Sequence, residues 1–424
     1  MVTNHSTDQE VEPASCYSRP GFSPGQGRPW ITTFLPGCTV KLIFLLIFYK
    51  SLVLGLAFAY GHFWPESFSL DGFHMAFHRH EQPGPTERFT TWDGEHYLHL
   101  SEEGYKAGSS SDAFYPLWPA MIHAGAWMIG GHDMAAALIL ANIFSLVGLL
   151  LFHRLIAEAH GNKIANDSLI LMIAYPGALF LQFPYSESLF LLLIMLFFIG
   201  LMRKNYWLVA FTGFVLPLTR ATGVFCLLPL LWLIGEQAFR QATESHPKGF
   251  PFLKFLAATC QNRLMAVCLV PLLGYACYFW IMWSQTGNPL EGFAAQKQYI
   301  NQPSIRNIVN LPGFIEAFYN FSWRHGIADS PIDRALFVIF LASLPLVWRL
   351  NKLYFFYAIG CGLVPAMSNW FVSYSRYLIL FFPLFVVLAE KSQGKRWHFA
   401  YITGMFGFVQ ICFIIKHVNF RWAG

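Results

Sequence analysis

Phe114 to Ile129 reads FYPLWPAMIHAGAWMI, apolar enough to pass for a membrane span and interrupted enough to be refused as one. It carries Pro116 and Pro119, and Gly130 and Gly131 follow at once. It also falls short of the roughly 20 apolar residues that a helix needs to cross a bilayer core. The choice matters because each span counted or refused flips the side of every later loop. Hydrophobic residues make up 55% of the 424 positions and charged residues 12%, against roughly 25% charged in a soluble domain. The chain therefore reads as a polytopic membrane protein whose length counts spans rather than soluble domains.

With Phe114 to Ile129 refused, apolar periodicity gives eleven spans. They are Leu42 to Tyr60, Met134 to Phe152, Ser168 to Phe183, Leu189 to Leu201, Tyr206 to Leu218 and Ala221 to Ile234. Leu264 to Trp283, Ala335 to Val347, Leu353 to Trp370, Tyr377 to Ala389 and His398 to Ile415 complete the set. With the N-terminus inside, the basic connections all fall on the cytoplasmic side, as the positive-inside rule requires. These hold Arg154 and Lys163; Arg203 and Lys204; Arg240, Lys248, Lys254 and Arg263; Arg349 and Lys352; and Lys391, Lys395 and Arg396. Counting the refused stretch would put these charges outside. The expected fold is an all-α transmembrane bundle over 41–424. Its first outer loop, 61–133, holds a helix at 114–130 lying along the interface with Tyr and Trp at headgroup level. A second large outer loop covers 284–334. Residues 1–40 are rich in Ser, Pro and Gly, lack the pattern of a cleaved signal peptide, and read as a flexible cytoplasmic tail. The eight cysteines are scattered without a CxxC, so neither a zinc site nor a disulfide framework is indicated. A net charge of +5 with no basic run interleaved by aromatics gives no indication of nucleic acid.

This topology sends every unusual polar cluster to the outer side. Thr91 to Tyr105, TWDGEHYLHLSEEGY, puts four carboxylates, two histidines and three aromatics into the first outer loop. FPYSESLF (Phe183 to Phe190), LTRATG (Leu218 to Gly223) and SYSRYL (Ser373 to Leu378) occupy shorter outer turns. Asp93 and Glu95 cannot share a helix face one residue apart, but in a loop both can address one small site, one as base and one as a hold on an acceptor. Glu102 and Glu103 read as solvated. His74 with His78, and His96 with His99, have spacings that fit a metal on a helix. No HExxH accompanies them, so a divalent metal is not favoured, no cofactor is implied, and His96 is kept only as a site-lining residue. Glu187, with Ser186, suits the first turn of a helix. Arg220 and Arg376 lie close between apolar runs, where a charge is costly unless paired or facing a polar cavity, so both point to an anionic group. Lys297 and Arg306 are weaker candidates.

In order along the chain, TWDGEHYLHLSEEGY, FYPLWP (Phe114 to Pro119), FPYSESLF, TRATG and SRYLILFFP (Ser375 to Pro383) resemble the landmarks of the PIG-V-like mannosyltransferases, a family of the GT-C superfamily. The resemblance runs from the first outer loop to the tenth span and leaves out the tail and the final span. It implies a GT-C-type helix bundle that takes a sugar, usually mannose, from a polyprenyl-phosphate donor. The acceptor would be a lipid-linked glycan or other hydroxyl. The site would face the periplasm across a bacterial inner membrane, or the endoplasmic reticulum lumen in a eukaryote. It places the catalytic carboxylate at Asp93, with Glu95 as the second carboxylate. On that basis Arg220 or Arg376 is expected to bind the donor phosphate, and Trp92, His96, Tyr97, Tyr115, Glu187 and Tyr377 to touch substrate. TRATG departs from the eukaryotic members, which more often carry Ser-Asn after the arginine, and this bears on the acceptor. The rival expectation is a transporter or flippase for a lipid-linked sugar, which would also retain intramembrane charges. No two related halves are visible in the sequence.

Overall fold

A computed structural model describes residues 37–64, 84, 86–244, 252–262, 264–299, 302–327 and 329–424. Nearly all of the N-terminal tail, His74, His78, Lys248 and Arg263 lie outside the described residues. Among these residues the protein is all-α, with no strand. The helices in chain order are α1 (Gly37–Phe63), α2 (Asp93–Glu103), α3 (Leu117–Met128), α4 (Asp133–His160), α5 (Asn162–Ala174) and α6 (Glu187–Met202). Then follow α7 (Tyr206–Thr219), α8 (Leu227–Glu244), α9 (Phe252–Gln261), α10 (Leu264–Thr286), α11 (Glu291–Ala295) and α12 (Leu311–Tyr319). The last six are α13 (Pro331–Leu350), α14 (Lys352–Ala358), α15 (Val364–Ser368), α16 (Tyr374–Leu378), α17 (Pro383–Lys391) and α18 (Arg396–Val418).

Among the described residues six helical stretches are long and apolar enough to cross a bilayer: Val40–Phe63, Asp133–His160, Ala221–Glu244, Leu264–Thr286, Pro331–Leu350 and Arg396–Val418. The protein is an integral membrane protein of the all-α class. α6 and α7 are apolar but shorter. Two of the expected spans are broken, each at a proline, and a third, Leu353 to Trp370, stays helical but widens by a π-turn. Ser168 to Phe183 stops as α-helix at Ala174, because Pro176 has no N–H and drives Tyr175 into an extended conformation (ψ 140°). A 3-10 turn, Pro176–Leu181, continues it. Leu353 to Trp370 is α14, a π-turn at Ile359–Leu363, and α15 with Pro365 in its first turn. Tyr377 to Ala389 is split between α16 and α17, the latter opening on Pro383.

The refused stretch 114–130 forms α3, which has one face on the protein. Trp118 and Ile122 are fully buried, while Trp127 is 82% exposed. Tyr115 and Trp118, expected at headgroup level, are buried instead, and the Trp118 indole N–H donates to the Pro184 carbonyl at 3.3 Å. Helix packing relies on small residues and polar ties, since lipid tails offer helices no hydrophobic drive to associate. In α1, Lys50 donates to Ser145 Oγ (2.6 Å) and Asn142 Oδ1 (3.3 Å), fastening that helix to α4. Between α7 and α10, Gly274 faces the Phe214 backbone so closely that a Cβ there would strike the Phe214 carbonyl, and Gly213 faces the Pro271 ring. Gly274→Val should therefore push α10 from α7 and cost about 1–3 kcal/mol, read as a lower thermal midpoint of purified protein in detergent.

Candidate active site

The site begins with two short apolar helices and the charges at their ends. α6 has 16 residues and α7 has 14, giving rises of about 24 and about 21 Å. A tight turn at Arg203 to Asn205 folds them back on each other, so the first residue of α6, Glu187, meets the residue that ends α7, Arg220. Arg220 Nη1 lies 2.6 Å from Glu187 Oε1. The placement suits the backbone dipoles, with an anion at a helix N-terminus and a cation at a C-terminus. Ser186 does not cap α6 with its side chain. Its hydroxyl instead receives Arg220 Nη1 at 3.0 Å and sits 2.9 Å from the Tyr97 hydroxyl. Burial raises the Tyr97 pKa, so that group stays a neutral hydroxyl.

Arg376, in α16, completes the group. Its Nε and Nη2 donate to the two oxygens of Glu187, and its Nη1 donates to Asp93 Oδ2. The guanidinium carbon lies 4.6 Å from the Tyr185 ring centre and 5.2 Å from that of Phe180, while Arg220 lies 5.0 Å from that of Tyr377. Two guanidiniums and two carboxylates thus form one formally neutral cluster. Glu187 is fully buried, and Arg220 and Arg376 are nearly so. Asp93 differs from them, its side chain remaining 24% exposed.

Asp93 is delivered by a strained turn. It opens α2 directly after Trp92, whose φ is +57°. The turn before Arg376 passes through Trp370, Phe371 and Ser373, all with positive φ. Such angles are rare for bulky side chains and cost on the order of 1–3 kcal/mol each, and they tend to cluster at functional sites. Neighbouring contacts hold both turns. Arg88 donates to the Val418 carbonyl at 2.9 Å, Tyr185 to the Thr91 carbonyl at 2.7 Å, and the Thr91 hydroxyl lies 3.0 Å from His417 Nδ1. On the other side, Asp333 Oδ1 accepts the Ser375 N–H at 2.6 Å, and the Tyr175 hydroxyl donates to the Ser375 carbonyl at 2.8 Å. Gly177 leaves room for that carbonyl, which a Cβ would strike.

A narrow cleft with about 10 Å³ of free space opens over Asp93 and Arg376, lined also by Trp92, Tyr185, His417 and Trp422. The structure therefore brings together Asp93, Glu187, Arg220 and Arg376, with Tyr97, Tyr377 and Trp92 against them. The Asp93 and Glu95 pair does not lie in a loop. Both residues are in the first turn of α2, where their side chains diverge, and buried Glu95 does not line the cleft. His96 stacks on Phe114 at 4.8 Å and meets Ser111 Oγ at 2.9 Å. Tyr115 stacks on Tyr278 at 4.6 Å and meets the Tyr275 hydroxyl at 2.9 Å. Neither residue lines the cleft. Sequence reasoning missed Asp333, Tyr185 and His417. For Asp333 there was a signal: Ser330 and Asp333 have the spacing of a helix-start pair, and Ser330 Oγ does accept the Asp333 N–H. For His417, two residues past the last expected span, there was none. Among the described residues no three His, Cys, Asp or Glu side chains converge as metal ligands.

No family model and no curated protein matches the sequence. Among solved structures the chain is similar to the oligosaccharyltransferase of Archaeoglobus fulgidus. For the apo form the TM-score is 0.45 at 11% identity, covering 93% of this chain and 57% of that one. For the complex with zinc and sulfate it is 0.44 at 11%, covering 89% and 53%. For the complex with an inhibitory peptide and a dolichol-phosphate it is 0.42 at 10%, covering 89% and 55%. The chain spans about half the length of these structures.

Glu187→Ala would leave two buried guanidiniums without their shared anion, an effect on the order of 3–5 kcal/mol. The expected outcome is little monodisperse protein on size-exclusion chromatography. A second expectation concerns Asp112, beside the His96 group. Its Oδ2 is buried without a hydrogen-bond partner, and burial pushes the carboxyl up to about 6 from 3.8. The folded protein holds this proton more tightly than the unfolded chain, so the stabilisation is full below pH 3.8 and is lost as pH rises through about 6. Asp112→Asn should remove that part of the pH dependence and raise the thermal midpoint relative to wild type at pH 8.

Proposed function

We propose that the protein is a GT-C-type, PIG-V-like glycosyltransferase that uses a polyprenyl-phosphate sugar, with mannose the first sugar to test. Its acceptor is a lipid-linked glycan or another hydroxyl, and its site faces the non-cytoplasmic side. The observation that carries the reading is the gathering of Asp93, Arg376, Glu187 and Arg220, from separated landmarks of the sequence, into one buried cluster under a cleft. The order of those landmarks resembles the family's.

The chemistry follows from the parts. A polyprenyl tail stays in the bilayer, so the phosphate must be met at the membrane surface by cations already in place. Arg376, on the cleft, stabilises the charge that develops as the phosphate departs, and Arg220 supports it through Glu187. Phosphate leaves readily, so no general acid is needed. Asp93 is the single base, taking the proton of the acceptor hydroxyl as that oxygen attacks the anomeric carbon from the opposite face, with inversion. Trp92 and Tyr185 flank the cleft and offer ring faces to a sugar.

The test is purified protein in nanodiscs with a panel of polyprenyl-phosphate sugars and a membrane lipid extract as the source of acceptor hydroxyls, scoring release of free polyprenyl phosphate. Asp93→Asn should be expressed and folded yet release none, and Arg376→Ala should lose donor use more severely than Arg220→Ala. Near-normal release by Asp93→Asn would remove it from the mechanism.

A further inference from the structure

We infer that Asp93 is an exchangeable counter-ion: the donor phosphate takes its place on Arg376, and the return of Asp93 expels the phosphate product. This rests on the function proposed above and adds to it how the site is held before substrate arrives and emptied afterwards.

The two carboxylates on Arg376 are not equivalent. Glu187 is fully buried, engages Nε and Nη2 together, and also holds Arg220. Asp93 is partly exposed, lines the cleft, and makes its hydrogen bond to Nη1. Any oxyanion entering the cleft therefore meets Asp93 on the edge of Arg376 that it needs. The free space does not allow both to stay. The free space in the cleft, about 10 Å³, is roughly that of one water and too little for a phosphate beside Asp93. Two anions pressed against one guanidinium edge would also repel each other in a low-dielectric setting. Moving Glu187 instead would strand two buried cations, so Asp93 is the group that yields. Its position immediately after the strained Trp92 (φ +57°) gives the α2 N-terminus a conformation that relaxation of that turn would shift.

The exchange also prepares the base. While Asp93 Oδ2 is committed to Arg376, it is not free to receive a proton from an acceptor. Once displaced, it is. The C1–O bond to phosphate then breaks with its electron pair passing to the phosphate oxygen, the acceptor oxygen bonds to C1, and the acceptor proton goes to Asp93. The phosphate gains one negative charge as Asp93 loses one, so the cluster's total charge is unchanged across the step. Asp93 later gives the proton to water and, again anionic, competes for Arg376 and releases polyprenyl phosphate.

Removing the competitor should therefore tighten product binding. The experiment is calorimetric titration of wild type and Asp93→Asn in nanodiscs with a short-chain polyprenyl monophosphate, with the matching polyprenol as control. Asp93→Asn should bind the monophosphate about tenfold more tightly, corresponding to about 1.4 kcal/mol, with no gain for the polyprenol. Asp93→Ser, checked for folding by its melting profile, serves if the asparagine variant does not fold. Equal or weaker binding by the variants overturns the exchange while leaving the donor class standing. Folded wild type and variants that all fail to bind the monophosphate overturn the donor class and the exchange together.

Discussion

Two arginines share one glutamate inside a membrane protein, and the rest of the site is arranged around that fact. A lone guanidinium at this depth would be prohibitive, and the side chains that make it tolerable are those that fix its direction. Glu187 bridges both cations from the start of α6, the polar end of an otherwise apolar helix, and Asp93 supplies the second negative charge. Aromatic faces from Tyr185, Phe180 and Tyr377 cover the guanidinium planes. What remains open is one edge of Arg376, and Asp93 stands there.

Rigidity on the Arg376 side contrasts with exposure on the Asp93 side. The backbone that carries Arg376 is pinned by Asp333, Tyr175 and the close approach of Gly177. The turn that leads into Asp93 is tied to the end of α18 through Arg88 and Thr91. The final helix, which lies beyond the stretch carrying the family resemblance, thereby contributes to the cleft with His417 and the residues after it. The lining of the cleft over Asp93 is incomplete without it.

Much of this was legible in the sequence, for identifiable reasons. Charge inside apolar runs is expensive, so Arg220 and Arg376 stood out, and a consistent assignment of basic loops put them on the side of Asp93 and Glu187. The pairing of Glu187 with Arg220 was not legible there; it arises because α6 and α7, joined by a tight turn, bring their ends together. What sequence could not give was backbone strain and distant contact. The helical start at Asp93 separates it from Glu95, which spacing alone left undecided. Tyr115 and His96 looked like site residues because aromatics and imidazoles suit a sugar. In the structure they are satisfied by Tyr275, Tyr278, Ser111 and Phe114. Prolines at 176 and 383 broke two expected spans, since periodicity in apolar runs does not register the loss of a backbone donor.

The central claim is that Asp93 and Arg376 are energetically one unit. A double-mutant cycle on Asp93→Asn and Arg376→Gln, with stability of the purified protein followed by denaturant in detergent, measures it directly. Non-additivity above about 1 kcal/mol is the expected result. Effects that add to within about 0.5 kcal/mol would contradict it.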